Sequence, residues 1–375
     1  MVDTTNQELS SSILDFSLDI YRSSTGSNNL CMSPSSVFTV LAMLQTGAKG
    51  ETLKQMTKAL CLTETDSQSL LALLKTFNTR LMQGSKEVIL AIANRLYPNA
   101  EHNLVDEYAT IVINNFQTDS KPLEFRNDPE GCRKEINDWV ETATHHKIKN
   151  ILPSGSVTAD TGMVVVNAIY FKGKWVNQFE KDDTQKEDFH EIGGRTTKVD
   201  MMRKKIRIAE YQHHTDLQCK VLRLWYSGGD IAMVVILPDA VDGLPKLEAA
   251  LNVFNLQKLV TKCSIKTVDV CLPKFKIETG LEMKKTLQIM GMLDLFNMTK
   301  ADLTGIGEQL FVSDLFHKTY VAVDENGTEA AAATSHSTLL CCYEEKEFRA
   351  DKPFMFLIWD FRVNVPLFMG RFVKA

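Results

Sequence analysis

One stretch of this chain, residues 162–171, constrains the fold more than any other; it reads GMVVVNAIYF. Nearly every position in it is apolar, whereas a strand with one face in water alternates apolar and polar residues. A near-continuous apolar run of this length is typical of a strand that is covered on both faces. The chain is therefore predicted to contain a central strand that lies between other packed elements.

Helices are predicted before this run and strands after it. Apolar residues recur at helical spacing over 37–44, after a Ser-Pro-Ser-Ser sequence at 33–36 and before Gly47. Further helices are predicted at 51–60 and around 136–140, and further strands at 221–225, 231–237, 268–277 and 310–323. Helices early and strands late in the chain indicate an α+β fold.

The composition is that of an ordinary globular protein. The chain has 375 residues, 44% of them hydrophobic and 24% charged, and no repeat or Pro/Gly/Ser-rich linker divides it. One large domain, 1–375, is therefore preferred to two or three smaller ones. The net charge of −5 gives no basic surface for nucleic acid or acidic lipid. No apolar window is long enough for a transmembrane helix, so neither nucleic acid nor membrane is expected as a partner.

The N-terminal residues and the cysteines bear on location. No basic segment followed by an apolar stretch opens the chain, so no cleavable signal peptide is predicted. The eight cysteines lack Cys-x-x-Cys spacing, which favours reduced thiols over a disulfide framework. Asn297 and Asn326 begin glycosylation sequons, which matter only in a secretory pathway. We expect a cytoplasmic protein. Release from the cell by a route that needs no signal peptide stays an open alternative.

No motif points to catalysis. The sequence contains no Gly-x-Ser-x-Gly turn, no His-Glu-x-x-His site and no Gly-x-x-x-x-Gly-Lys phosphate loop. The pairs His145-His146 and His213-His214 could each supply half of a metal site, but neighbouring side chains diverge, so solvated histidines are preferred. The stretch 203–207, RKKIR, is interpreted as a strand with one wet face rather than a polyanion site. No enzymatic activity, metal or cofactor is predicted.

The least typical stretch for a folded protein is 328–342, TEAAAATSHSTLLCC. Its alanines favour a helix, but no amphipathic stripe would anchor one. As a strand it has its one full charge, Glu329, on the odd-numbered face, and its even-numbered face begins with small residues. Such a segment can be exposed and can also insert between two strands without burying a charge on that face. A plain flexible tether is the alternative.

Six segments in the same order resemble the serpin family over essentially the whole chain. They are NNLCMSPSSVFTVLAMLQTGAKGETLKQ at 28–55, VNAIYFKGKWVNQF at 166–179, LPKFKIETGLEMKKTLQIMGMLDLF at 272–296, ADLTGI at 301–306, FHKTYVAVDENGTEAAAAT at 316–334, and FRADKPFMFLI at 348–358 with PLFMGRF at 366–372. The EFRAD sequence at 347–351 is most similar to the intracellular ovalbumin-like branch. The resemblance implies helices around a large central mixed sheet, further smaller sheets, and an exposed reactive-centre loop at about 325–346.

The resemblance also implies a function. Serpins inhibit serine proteases as suicide substrates: the protease attacks the exposed loop and forms an acyl-enzyme, and the freed loop inserts into the main sheet. The implied partner is a target serine protease held in a covalent complex, and the chain is expected to be a monomer. Two alternatives stay open: a serpin-fold protein that serves in binding, storage or chaperoning, and an inhibitor of cysteine proteases.

Site residues carry over by position. The hinge that leads insertion consists of Glu325, Gly327, Thr328, Glu329, Ala330, Ala331, Ala332 and Ala333. Counting from the hinge places the scissile bond between Cys341 and Cys342, with Leu339, Leu340 and Tyr343 beside it; counting back from Lys352 places it one residue later. No Arg or Lys lies between 328 and 345, so an elastase-like or chymotrypsin-like target is expected.

Two further groups match the family by position. Ser33, Ser36, Asn167 and His317 match the shutter, a polar cluster beneath the sheet that must open for insertion. Trp175 matches the breach, the end of the sheet where insertion starts. Buried polar groups that merely satisfy one another would also explain the first group.

Overall fold

The structure is a computed structural model that describes residues 2–62, 67–82, 88–102, 104–328 and 345–375. The helices in these residues are α1 Val2–Ser24, α2 Pro34–Gln45, α3 Gly50–Ala59, α4 Ser67–Met82, α5 Asp106–Phe116, α6 Pro129–Ala143, α7 Leu244–Ala250, α8 Val253–Thr261 and α9 Lys284–Ile289. The strands are β1 Leu30–Met32, β2 Val88–Pro98, β3 Met163–Lys174, β4 Gln185–His190, β5 Thr196–His214, β6 Cys219–Trp225, β7 Ile231–Pro238, β8 Ser264–Pro273, β9 Phe275–Glu282, β10 Asp314–Val323, β11 Gly327–Thr328, β12 Glu345–Arg349, β13 Phe354–Asp360 and β14 Val365–Phe372.

The predicted α+β class is confirmed, and so are the elements with strong local signals. Helix α2 begins where the sequence predicts, because the Ser33 side chain accepts a hydrogen bond from the Ser36 N–H and Pro34 occupies the first turn. The predicted helices at 51–60 and 136–140 correspond to α3 and α6. Strands β6 and β7 form the predicted antiparallel hairpin.

A mixed sheet built around β3 forms the centre of the molecule. Strand β2 pairs antiparallel with β3, β10 pairs parallel with β3, and β9 pairs antiparallel with β10. We predicted no strand at β2, and the predicted strand at 310–323 begins only at Asp314. The end of this sheet at Lys174 and Val323 is called the upper end below.

Both faces of β3 are buried, as the apolar run predicts. Val165 and Ile169 belong to a large core that also contains Val37 and Leu41 of α2. Val166 and Ala168 point the other way, into a smaller core that includes the inner residues of α6. The alternation of side chains along a strand therefore places α2 and α6 on opposite faces of the central sheet.

A second sheet contains nine strands in the described residues, in the order β1-β14-β13-β7-β6-β5-β8-β12 with β4 also on β5. The predicted single strand at 268–277 is wrong, because the chain leaves this sheet after Pro273 and joins the central sheet at Phe275. Lys274 lies at the crossing, where its backbone N–H donates to the carbonyl of Asp200 (2.8 Å). The stretch 203–207 lies inside β5, as predicted.

Among the described helices, none combines the length and the apolar character that a membrane span requires. The two histidine pairs behave differently from one another. His145 and His146 are exposed, as predicted, but His214 is buried beside α8 while its neighbour His213 pairs with Asp239 at the surface (2.9 Å). The prediction of solvated histidines is therefore wrong for His214.

Candidate functional site

The chain reverses direction just after β10. The Asp324 N–H donates to the carbonyl of Gly327 (2.8 Å), and the Gly327 N–H donates back to the carbonyl of Asp324 (3.2 Å). The Asp324 carboxylate also accepts a hydrogen bond from the Asn326 N–H (2.9 Å). This turn directs the first hinge residues back along the central sheet, antiparallel to β3.

Strands β10 and β11 share one edge of β3. The opposite edge is occupied by β2. On the shared edge, β10 pairs with β3 as far as Tyr170, and β11 pairs with Gly173 and Lys174. Within the described residues no strand pairs with this edge at Phe171 and Lys172. The central sheet is therefore split at its upper end, and the start of the predicted hinge lies in the split.

Gly327 is required by the backbone geometry of the split. Its φ is 140°, a value that residues with a side chain rarely adopt. A Cβ placed there would lie 2.7 Å from the Lys174 Cα and 2.9 Å from the Trp175 nitrogen, and closer still to the Gly173 carbonyl oxygen. The predicted hinge residue Gly327 is thus the one that lets β11 approach the β3 backbone.

Glu325 anchors the turn from a buried position. The residue is 3% exposed, and its carboxylate accepts a hydrogen bond from the Thr184 hydroxyl (2.9 Å) and pairs with the Lys274 ammonium (3.0 Å). Burial would raise the pKa of this carboxyl, but hydrogen bonds from its own N–H, Lys274 and Thr184 outweigh burial and lower the pKa below its ordinary value. The Glu325 side chain therefore holds the hinge as a charged, hydrogen-bonded anchor.

Trp175 lies directly beneath the turn. Its indole N–H donates to the carbonyl of Asp324, and its backbone N–H donates to the carbonyl of Asn326, both at 3.0 Å. The ring stacks on Tyr226, the residue that follows β6 of the second sheet, with centroids 4.4 Å apart and an interplanar angle of 16°. Trp175 thus joins the upper end of the central sheet, the second sheet and the hinge, which is where the family resemblance places it.

The predicted polar cluster lies on the α2 face of the same sheet. Asn167 of β3 lies opposite His317 of β10 and, on its other side, opposite Asn94 of β2. Ser33 and Ser36 approach this row from the start of α2. All four predicted residues therefore meet, and the structure adds Asn94, which we did not predict.

Hydrogen bonds connect the polar cluster into one chain. The Ser33 N–H donates to Nε2 of His317 (3.0 Å), so Nδ1 carries the ring proton and donates to Oδ1 of Asn167 (2.5 Å). The Asn167 side-chain NH2 in turn donates to the Ser36 hydroxyl (2.6 Å) and to the side-chain amide oxygen, Oδ1, of Asn94. Complete burial lowers the pKa of His317 to about 4, so the ring is neutral at pH 7.

The His317–Asn167 contact lies across the seam between β3 and β10. A strand that inserted between them would separate the two side chains and break this hydrogen bond. Helix α6 covers the other face of the seam, where Ile136 and Val140 belong to the same small core as Val166 and Phe316. Opening the seam therefore disturbs the polar cluster on one face and the α6 packing on the other.

Asn94 and Lys274 were missed for different reasons. Asn94 interrupts the apolar run of β2 just as Asn167 interrupts that of β3, so a polar residue in each strand was an available signal. Lys274 has no local signal, because its role depends on Glu325, which is distant in the sequence.

The remaining predicted site residues lie outside the described residues; they are Glu329, Ala330, Ala331, Ala332, Ala333, Leu339, Leu340, Cys341, Cys342 and Tyr343.

Two further kinds of group, metal-ligating side chains and thiols, occur in the part of the chain that the structure describes. No group of three or more His, Cys, Asp or Glu side chains there is arranged to hold a metal ion. The described cysteines, such as Cys31 and Cys271, are free thiols. Burial raises the pKa of the Cys271 thiol to about 11, so this thiol is protonated at pH 7.

Comparisons with known proteins agree with this geometry. Residues 11–375 match the family model described as Serpin (serine protease inhibitor). The chain is similar to leukocyte elastase inhibitor A of Rattus norvegicus, with 36% identity over 97% of this chain and 99% of that protein. It is also similar to Serpin B4 of Homo sapiens, with 37% identity over 92% of this chain and 93% of that protein. The solved structure of uncleaved ovalbumin superimposes with a TM-score of 0.89 at 28% identity, covering 98% of this chain and 100% of that one.

Proposed function

The chain belongs to the serpin family, and on that premise we propose that it inhibits a serine protease as a suicide substrate. The resemblance of its six segments to the serpin family is confirmed by the family match, and the predicted likeness to the ovalbumin-like branch is confirmed by the relatives and by the ovalbumin structure. In the proposed mechanism a protease forms an acyl-enzyme with the exposed loop. The freed hinge then inserts between β3 and β10 and carries the protease with it before hydrolysis is complete.

The observation that carries this proposal is the split upper end of the central sheet. Residues Gly327 and Thr328 are already paired with β3, in the orientation that a longer inserted strand would need. Full insertion would replace one set of hydrogen bonds, between β3 and β10, with two sets. One additional ladder of about ten hydrogen bonds contributes on the order of 5–15 kcal/mol. Insertion from this starting point is therefore energetically favourable once the loop is cut.

The sequence that follows Thr328 suits a strand with both faces covered. Because α2 and α6 pack on opposite faces of the central sheet, the leading residues need small side chains on both faces. The four consecutive residues Ala330, Ala331, Ala332 and Ala333 meet this need. Glu329 is the one charged residue in the leading segment, and we propose that it stays near the upper rim of the sheet.

The bait proposed for the protease is the bond between Cys341 and Cys342. Leu339, Leu340 and Tyr343 beside it, together with the absence of Arg and Lys in the loop, favour an elastase-like or chymotrypsin-like protease. One relative carries the name leukocyte elastase inhibitor A, which supports the same choice. Mass spectrometry of the fragment released on cleavage would identify the bond and distinguish it from Cys342–Tyr343.

The test of function is a gel assay with purified proteins. The chain is mixed with pancreatic elastase or chymotrypsin, and an SDS-stable complex of the summed mass is expected within minutes. The matched control is the same protease with its catalytic serine chemically blocked, which should give no complex. Clean cleavage of the loop without any complex would instead support a serpin-fold protein with a binding, storage or chaperone role. A complex with papain but with neither serine protease would support the cysteine protease alternative.

We further propose that the protein acts as a monomer in the cytoplasm. The free cysteines of the described residues and the similarity to the ovalbumin-like branch support a reducing compartment. Fractionation of the source cells with an antibody against the chain tests the location. Size-exclusion chromatography with light scattering tests the oligomeric state.

A further inference from the structure

A second feature of the upper end is a cavity of about 180 Å³ that the inhibitory mechanism does not use. It lies between Trp175 of the central sheet and strands β5, β6 and β8 of the second sheet. An engineered cavity of about 150 Å³ is large enough to bind benzene, so this one has room for a molecule with a single aromatic ring. Only a short part of a peptide or a lipid chain would fit inside it.

The cavity is formed where β5 is irregular. Strand β5 pairs regularly with β8 as far as Ile206, and the pairing resumes at Ala209 with the register shifted. This bulge brings Ile206, Ile208 and Ala209 to the cavity wall. Ile206 and Ala209 are buried, whereas Ile208 is 59% exposed at the opening. Val176 and Ile265 are also exposed at the opening, so the wall and the mouth are both largely apolar.

A single charged pair, Arg223 and Glu210, lies at one end of the cavity. The Arg223 side chain is only 10% exposed; its guanidinium donates to the Glu210 carboxylate and the Val260 carbonyl, and it lies over the Phe361 ring at 4.8 Å. The Glu210 side chain is 24% exposed and also accepts a hydrogen bond from the Trp225 indole (3.0 Å). Glu210 is therefore the more accessible of the two charges.

An apolar wall with one accessible acceptor is the arrangement of a small-molecule site. We propose that this cavity binds a small aromatic molecule that carries a hydroxyl or another hydrogen-bond donor. The ring lies against Ile206, Ala209 and Trp175, and the donor meets a carboxylate oxygen of Glu210. An aromatic acid binds more weakly, because its carboxylate would lie beside the Glu210 carboxylate.

Occupancy of the cavity is coupled to the hinge through Trp175, which lines the cavity and bonds to the carbonyls of Asp324 and Asn326. A bound ring restrains Trp175 in this position and slows the release of the hinge. This second step rests on the proposed inhibitory function, whereas binding itself does not.

The binding test uses para-fluorobenzyl alcohol as probe and para-fluorobenzoate as its acidic counterpart, each followed by fluorine NMR of the ligand. We expect the alcohol to bind with a dissociation constant of about a millimolar, as is usual for a ligand of this size. The benzoate should bind at least about tenfold more weakly. Equal binding of the two probes would overturn the proposal. So would the absence of alcohol binding at about ten millimolar, roughly ten times the expected dissociation constant.

Two variants locate the probe. Ala209→Leu fills the cavity and should weaken alcohol binding at least about tenfold, with unchanged circular dichroism as proof of folding. Ile208→Ala, which removes an exposed side chain at the mouth, should weaken it about threefold. Its matched control is Ile113→Ala on α5, a side chain of similar exposure (57% against 59%) outside the cavity. Unchanged binding by both cavity variants overturns the proposal.

The coupling to the hinge is measured separately, as the rate of complex formation with elastase at saturating alcohol. A slower rate in the wild type but not in Ala209→Leu supports the coupling. If the alcohol binds as predicted and no complex forms under any condition, the site stands and the proposed inhibitory function fails. If the rate of complex formation is unchanged with the alcohol bound, the proposed coupling to the hinge is wrong.

Discussion

Replacement of Gly327 by alanine tests whether the hinge is held in the split of the central sheet. Keeping β11 in place would cost about 1–3 kcal/mol for the backbone conformation, and a similar amount for the clash of a Cβ with backbone atoms of β3. Releasing β11 would cost only its short pairing with Gly173 and Lys174, about 1–3 kcal/mol in total. Release is the smaller cost, so we expect the variant to lose this pairing and about 2 kcal/mol of unfolding free energy.

Hydrogen exchange and urea unfolding measure the two parts of this prediction. The backbone N–H of Trp175 donates to the Asn326 carbonyl, so hydrogen exchange at this amide should accelerate when the turn leaves the sheet. Trp175 fluorescence should shift to longer wavelength as the indole gains solvent. The midpoint of urea unfolding should fall in the same sample, since the released pairing no longer contributes.

Gly26→Ala is the matched control. No atom lies within 4 Å of a Cβ built at Gly26, and its backbone is not in the glycine-favoured region. This substitution should change the unfolding free energy by less than about 0.5 kcal/mol. If Gly327→Ala unfolded at the same urea concentration as Gly26→Ala and kept the Trp175 amide protected, the hinge would not be held as described.

Three further predictions concern the anchor, the polar cluster and the inserted strand. Lys274→Met should lower the unfolding free energy in urea at pH 7 by about 1–2 kcal/mol, because the Lys274 side chain that pairs with Glu325 is 38% exposed and the pair is partly screened by solvent. The pKa of Glu325 is lowered by folding, so this difference should disappear as the pH falls through that pKa; a difference that stays constant down to the pH at which acid unfolds the protein would contradict the ion pair. Burial lowers the pKa of His317 to about 4 from 6.5, so the unfolded chain binds more protons between these values and stability should fall by about 3 kcal/mol as the pH drops through that range. His317→Gln should flatten this dependence in pH-resolved urea melts, and an identical slope in both proteins would refute the assignment. Thr328→Arg should turn the inhibitor into a substrate on the elastase gel, because full insertion would bury its guanidinium between β3 and β10 without a partner; Thr328→Ser is the control, and trapping by the Arg variant would contradict insertion.

Several elements were predictable because their signals are local. Helix α2 combines a serine cap, a proline in the first turn and apolar residues at helical spacing, and β3 is apolar at nearly every position. Strand β2 was missed because its leucines, alanines and arginine suit a helix as well as a strand. The predicted strand at 268–277 failed because the apolar pattern continues across Lys274, where the chain passes from one sheet to the other.

The sequence by itself determined that a doubly covered strand exists, that polar Asn167 and His317 interrupt apolar strands, and that the segment after Gly327 is small and nearly uncharged. Only the tertiary structure decided which of these residues meet. The parallel register of β3 and β10 places Asn167 opposite His317, and the packing of two sheets brings Lys274 to Glu325. Such contacts join residues that are far apart in the chain, and local propensities carry no information about strand register or sheet packing. The split that receives Gly327 is likewise a property of the assembled sheet, because it exists only where β10 and β11 share one edge of β3.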